Sequence, residues 1–225
     1  MTIRAVFFDL DETLIDARSC HLEANRLTFE DFGLDYARAR AIAGDFVGMR
    51  LVDSLAARRD ALGVREADLP VQRLMERREA HYLRLLPETG TLLSGAKEAV
   101  LDVRQRGLIP AVVSSSTLRV IREVFNLFGL ANVPAFVVAG DEVARGKPHP
   151  ESYELAFDRL AAVGDVGKHE VLVVEDSASG VRAGQSAGLP VCLVPYDPPS
   201  ADVNPEYRLS SLVELPELLE RLRSE

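Results

Sequence analysis

The chain has no tryptophan, only two cysteines, and aromatic residues at 6% of its 225 positions. Each shortage excludes something. With so few aromatics there is no stacking surface for single-stranded nucleic acid. Two cysteines, Cys20 and Cys192, cannot build a disulfide framework. Free thiols in a reducing compartment are expected, which points to the cytoplasm. No apolar run approaches the ~20 residues of a membrane-spanning helix, so no membrane partner is expected. The opening Met1-Thr2-Ile3-Arg4 leads straight into an apolar strand, and no secretion signal is expected. A cationic surplus is missing too. Lys and Arg number 26 against 35 Asp and Glu, a net charge of −9. That balance argues against nucleic-acid binding by bulk charge, because phosphate backbones need clustered cations. It leaves room for one small anion in a local basic pocket.

What is present is ordinary globular composition, 47% hydrophobic and 27% charged, in a length that fits a core with a smaller insert. Five short apolar runs, at 5–10, 109–114, 135–139, 171–174 and 191–194, read as strands covered on both faces. Helical stripes alternate with them. Ala96, Ala99, Val100 and Val103 form one; Leu118, Ile121, Phe125 and Phe128 form another, stopped by Gly129. Tyr153, Ala156, Phe157 and Leu160 follow Pro150, and Leu212, Leu215, Leu219 and Leu222 close the chain. The alternation predicts an α/β doubly wound, parallel five-stranded sheet.

Residues 16–87 break the alternation. They contain helical spacings (Val47, Leu51 and Leu55; then Val71, Leu74, Met75, Tyr82 and Leu85) and no evident strand. An inserted all-helical domain over 16–87 is expected, with the core made of 1–15 and 88–225. Pro87, Gly90 and Gly95 are candidate hinges, and Asp197-Pro198-Pro199 reads as a turn.

Four polar clusters each follow an apolar strand, where ligands bind in open α/β sheets. Asp9 and Asp11 are two carboxylates two residues apart, suited to a nucleophile and a general acid/base, or to a solvated turn. Ser114-Ser115-Ser116-Thr117 precedes a helix and offers hydroxyls and amides to a phosphate, though Ser116 or Thr117 serves equally as a cap. Lys147, between Gly146 and Pro148, could neutralise phosphate and keep Asp9 ionised. Glu175 and Asp176 are candidate metal ligands or simple helix-dipole partners. Each is weak alone. Acid, hydroxyl, lysine and acid at successive strand ends are what metal-assisted phosphoryl transfer requires.

In this order and spacing the residues resemble the haloacid dehalogenase-like superfamily, in its helical-cap phosphatase and β-phosphoglucomutase-like branch. Asp9-Leu10-Asp11-Glu12-Thr13, Ser114, Lys147 and Glu175-Asp176 match its four motifs. The resemblance implies a Mg²⁺-dependent phosphomonoester hydrolase acting on a small phosphorylated metabolite such as a sugar phosphate. It makes Asp9 the nucleophile and Asp11 the acid/base. Ser114, the Ser115 amide and Lys147 hold the phosphoryl group. Mg²⁺ is held by Asp9, the Asp11 carbonyl and Asp176, with Glu175 in support. Asp11 argues against dehalogenation and phosphonate hydrolysis, whose family members lack that acid. Glu12 departs from the family pattern, which often has glycine there.

The resemblance also gives the cap its specificity role, with His21, Arg50 and Arg78 as candidate substrate contacts. A β-phosphoglucomutase-like mutase is the alternative. Leu118, where those mutases often carry asparagine, favours hydrolysis. A non-enzymatic phospho-receiver domain is disfavoured by the long helical insert, and dinucleotide binding by the lack of a glycine fingerprint after the first strand. Oligomeric state is not legible.

Overall fold

The computed structural model describes residues 2–44, 48–162, 164–196 and 203–224. Val47 and the Asp197-Pro198-Pro199 turn therefore lie outside the described residues.

The five expected runs form a parallel sheet. They are β1 (Ala5–Phe8), then after the insert β4 (Ile109–Val113), β5 (Phe136–Val138), β6 (Val171–Glu175) and β7 (Val191–Leu193). Two-residue β8 (Tyr207–Arg208) adds a sixth strand, giving the order β5-β4-β1-β6-β7-β8. The sequence reading had five because a two-residue strand leaves no periodicity to find. Every described strand pair in this sheet is parallel. β1 is central, so its carboxyl end is flanked by those of β4 and β6. This is the point of strand-order reversal, where a crevice opens.

Apolar layers cover both faces. On one, Val6, Phe8, Val112 and Val174 pack with α5 (Ala96–Gln105), α6 (Leu118–Phe128) and α9 (Leu215–Ser224). On the other, Phe7, Ala111 and Val173 pack with α7 (Glu151–Ala161) and α8 (Ala178–Ser186). Gly129 ends α6 in the left-handed conformation, φ 69°, as its position predicts.

The insert is built from α1 (Arg18–Asp31), α2 (Tyr36–Ala43), α3 (Leu51–Ala61) and α4 (Val71–Thr89). It has its own small apolar cluster around Phe29, Leu55 and Leu74. The two connections to the core pair with each other. β2 (Ile15–Asp16) runs antiparallel to β3 (Thr91–Leu92), a ribbon the sequence reading did not anticipate. Pro87 is not in a linker either. It falls in the last turn of α4, which continues to Thr89 and closes with Gly90 N–H donating to Leu86 O at 2.8 Å. Proline has no N–H to donate to Leu83 O, so the helix runs one ladder bond short there and ends soon after.

Candidate active site

The parallel register brings the strand-end residues together. Phe8 pairs with both Val112 and Val174, so the next residue, Asp9, lies level with the carboxyl ends of β4 and β6. Asp9 N–H donates to Val174 O at 2.9 Å, which fixes the carboxylate over the sheet end.

Lys147 ties three strand ends to one ammonium. Its Nζ donates to Asp9 Oδ1 and Glu175 Oε1, each at 2.6 Å, and to Val113 O at 3.0 Å. The lysine is 2% exposed. Burial alone would favour the neutral amine, but Asp9 and Glu175 outweigh it and raise the proton affinity of Lys147. Tyr153 donates to the same Glu175 oxygen at 2.7 Å, and Ser177 donates to the other at 3.1 Å. Gly180 makes this packing possible. A Cβ there would stand 1.9 Å from the Glu175 carboxyl carbon.

Asp11 belongs to a separate network. Ser116 Oγ donates to its Oδ2 at 2.7 Å, and Ser114 Oγ lies 3.5 Å from the same oxygen. Its Oδ1 is 3.0 Å from His21 Nε2, across from α1. Arg78, on α4, meets the other ring nitrogen, Nδ1. A guanidinium can only donate, so Nδ1 accepts and the proton resides on Nε2, which donates to Asp11. Tyr82 stacks on His21 with ring centroids 4.7 Å apart, and the Arg78 guanidinium lies 4.7 Å from the same Tyr82 ring.

The two aspartates consequently differ. Burial pushes Asp9 up to about 8, opposed by Lys147 and reinforced by Glu175 and Asp11. Burial would raise Asp11 as well, but the contacts with His21, Ser116 and Arg78 hold it below its ordinary value. Two neighbouring carboxylates with proton affinities pushed apart are suited to different tasks.

Asp9, Glu175 and Asp176 offer oxygen atoms that all lie within 4.8 Å of one another. Burial, followed by repulsion from Glu175 and Asp9, raises Asp176 well above its ordinary value. Burial, then Asp11 and Asp9, pushes Glu12 up to about 8. Asp9, Glu175 and Asp176 crowd the one ammonium of Lys147. An all-oxygen donor set with excess negative charge fits a hard divalent cation. The Asp11 carboxylate is outside this cluster, having turned to His21 and Ser116. Glu12 occupies its turn with φ 61°, a backbone conformation glycine adopts without strain.

Capping does not account for the polar clusters. Thr117 caps α6 by accepting from Val120 N–H at 3.5 Å, which leaves Ser114, Ser115 and Ser116 to other partners. Ser177 caps α8, accepting from Gly180 N–H at 3.1 Å, so neither Glu175 nor Asp176 is the cap.

Above the sheet end lies a cavity of about 330 Å³, with Asp9, Asp11, Asp176, Ser115 and Ser116 at its base. Ser114 and Lys147 are buried beneath, 1% and 2% exposed. His21 and Arg78 line the wall. Arg50 does not. Its guanidinium makes two bonds to the Asp53 carboxylate, 2.7 and 2.8 Å, and a third to Val143 O at 2.7 Å. It fastens the insert to the loop before Lys147 instead of facing the cavity. Gly48 strengthens the same junction. Its carbonyl accepts from Ser115 Oγ at 2.7 Å, and a Cβ would meet Ser179 Oγ at 2.4 Å.

The sequence reading missed several of these residues. Tyr153 reads in sequence as one member of an apolar stripe, and Ser116 as a phosphate-seat hydroxyl or a cap, not as a partner of Asp11. Arg40 and Arg58 also line the cavity. Their surface-helix pattern gave no signal: Arg58 is buried only by the packing of α3 over the sheet end, and Arg40 reaches the cavity from an exposed position.

A family model described as haloacid dehalogenase-like hydrolase matches residues 3–188. Hexitol phosphatase B of Escherichia coli K12 is 30% identical over 221 residues, covering 95% of this chain and 94% of its own. The phosphorylated carbohydrates phosphatase of Thermotoga maritima is 30% identical over 188 residues, covering 83% and 82% respectively. Among solved structures, CbbY from Rhodobacter sphaeroides in complex with phosphate has a TM-score of 0.81 at 24% identity. It covers 95% of this chain and 96% of its own, a likeness of fold.

Proposed function

The chain belongs to the haloacid dehalogenase-like hydrolases, and from that premise we propose that it is a Mg²⁺-dependent phosphomonoester hydrolase of small phosphorylated metabolites. The observation that carries the reading is the division between Asp9, fixed by Lys147, and Asp11, held by His21 and Ser116 at the same cavity.

In this reading Asp9 attacks phosphorus, and the bond to the leaving alcohol oxygen breaks as Asp11 gives that oxygen a proton. The aspartyl-phosphate is then attacked by water. Asp11 takes the water proton, the acyl phosphate bond breaks, and inorganic phosphate leaves with Asp9 restored. Asp11 is held here as an anion, the form that activates water. The negative charge of an arriving phosphate raises its proton affinity for the first step. Lys147, Ser114 and the Ser115 amide neutralise the phosphoryl oxygens. Asp9, Asp176 and the Asp11 carbonyl would hold Mg²⁺, with Glu175 in support. Bound there, the ion supplies charge neutralisation for the phosphate.

Residues 16–87 are taken as a cap over a core of 1–15 and 88–225, enclosing the reaction away from bulk water. Two buried free thiols, Cys20 and Cys192, fit a cytoplasmic setting. Among the described residues no helix is long and apolar enough to cross a membrane.

The names of the two bacterial relatives put phosphorylated sugars and sugar alcohols first in a substrate screen. With Mg²⁺ present, free phosphate and isomerised product are measured together. Free phosphate with no isomer is the expected result. An isomer without free phosphate would replace this reading with the mutase.

A further inference from the structure

Both carboxylate oxygens of Asp11 are reached from α4, through two neighbouring residues. Arg78 meets His21, which donates to Oδ1. Glu79 works on the other side. Its Oε1 accepts from Thr117 Oγ1 at 2.6 Å, and Thr117 adjoins Ser116, whose hydroxyl donates to Asp11 Oδ2 at 2.7 Å. Partners alternate along 114–117. The hydroxyls of Ser114 and Ser116 turn to Asp11, while those of Ser115 and Thr117 turn to Gly48 and Glu79 of the insert.

Stability does not account for Glu79. It is 8% exposed, a setting that glutamate rarely occupies without a strong cation. Arg119 stands 3.8 Å from its second oxygen but is largely exposed, so that ion pair adds little. Nor is Glu79 the cap of α6. The Val120 N–H goes to Thr117 Oγ1, and the Leu118 N–H goes to Asp141 Oδ1 at 3.0 Å. The close contact of Glu79 is the Thr117 hydroxyl. The loop behind that contact has little slack. Ser116 O accepts from Gly140 N–H at 2.8 Å, and a Cβ at Gly140 would stand 2.2 Å from Ser115 O. A shift of Thr117 is therefore taken up at the Ser116 hydroxyl.

We infer that Glu79 is a positioning residue for Asp11: by holding the Thr117 hydroxyl it sets the Ser116 hydroxyl, which aims the acid/base at the leaving oxygen. This rests on the phosphatase reading above. Glu79 lies outside the cavity lining and acts at one remove from the substrate.

Leaving-group chemistry separates positioning from structure. p-Nitrophenolate departs without a proton, whereas a sugar alkoxide needs one from Asp11. A fault confined to Asp11 lowers kcat/KM, which covers the steps up to the aspartyl-phosphate, on an alkyl ester and largely spares it on p-nitrophenyl phosphate.

The test uses the full chain with Mg²⁺ and p-nitrophenyl phosphate. The alkyl ester is glucose 6-phosphate or sorbitol 6-phosphate, whichever the wild type hydrolyses faster. Glu79→Leu should lower kcat/KM on the alkyl ester about tenfold more than on the aryl ester. Glu79→Gln, which keeps an acceptor for Thr117, should retain most of the alkyl activity. Thr117→Val should reproduce the selective loss and Thr117→Ser should not, which decides the matter even if Glu79→Leu fails to fold. Adding Glu79→Leu to Ser116→Ala should cost little beyond Ser116→Ala alone, because both act on one oxygen of Asp11. Equal fractional losses on both esters, or none, overturn the inference and leave Glu79 a fastening between insert and core. Full additivity with Ser116→Ala overturns it too, as does a glutamine variant no better than the leucine one. A wild type active on p-nitrophenyl phosphate alone also overturns it, since no poor leaving oxygen is then protonated. In each of these cases the phosphatase reading stands. If no ester is hydrolysed, that reading falls and takes the inference with it.

Discussion

Tyr153 donates its phenolic hydrogen to Glu175 Oε1 at 2.7 Å, the same oxygen that accepts from Lys147. The pair joins α7 to β6 beneath the site, and both side chains are 0% exposed. Tyr153→Phe leaves the ring and removes the donor. A buried hydrogen bond to a charged group contributes about 1.5–3 kcal/mol, so the variant should lose stability on that scale. The Lys147–Asp9 alignment loosens with it and phosphate release slows. Urea unfolding and steady-state kinetics on the same preparation check both.

The Arg78–His21–Asp11 chain fixes which imidazole nitrogen carries the proton. Glutamine places an amide N–H near the position of Nε2, whereas asparagine reaches only as far as Nδ1. His21→Gln should therefore retain more activity than His21→Asn or His21→Ala. With Asp11 mispositioned, general acid/base catalysis loses about 10²-fold or more. The loss should fall on kcat rather than KM and should alter the pH–rate profile. Equal activities for the glutamine and asparagine variants would mean His21 acts only by packing on Tyr82.

Arg50 is occupied by Asp53 and Val143, so Arg50→Ala should affect every substrate alike. A similar fractional loss on p-nitrophenyl phosphate and on a larger sugar phosphate is expected, because what weakens is the junction between insert and core. A loss confined to the larger substrate would return Arg50 to the cavity.

The crowded carboxylates link stability, pH and metal. Folding raises Asp9 from 3.8, and Glu12 from 4.5, to about 8. Between those limits the metal-free folded chain holds protons that the unfolded chain has released. Its stability therefore falls as pH rises from about 5 to about 8. Mg²⁺ binds the ionised carboxylates and should stabilise the chain more at the upper end. Thermal unfolding with and without Mg²⁺ across this range checks the sign: the gap in Tm widens with pH.

The acids, serines and lysine of the core were legible in sequence for one reason. Each follows an apolar strand, and parallel strands in register place their carboxyl ends side by side, so order along the chain becomes proximity in space. Asp9 and Ser114 directly follow β1 and β4, and Glu175 closes β6; Lys147 comes later, in the loop after β5. The four inserted helices obey no comparable rule. Arg50, Arg58 and Arg78 are arginines on or beside helices with similar local patterns. One grips a core loop, one lines the cavity and one orients a histidine, and only the packing of four helices decides which is which. Tyr153 was concealed differently. Its ring fills an apolar position while its hydroxyl serves the site. β2, β3 and β8 were missed because two residues carry no period.

Asp9 as nucleophile is the central claim. Mg²⁺-dependent phosphate release from p-nitrophenyl phosphate by the wild type and by Asp9→Asn tests it most directly, with circular dichroism to show that both are folded. The amide cannot form the acyl phosphate, so release by the variant should fall about 10³-fold or more while its fold is kept. Undiminished release by a folded Asp9→Asn would contradict the account.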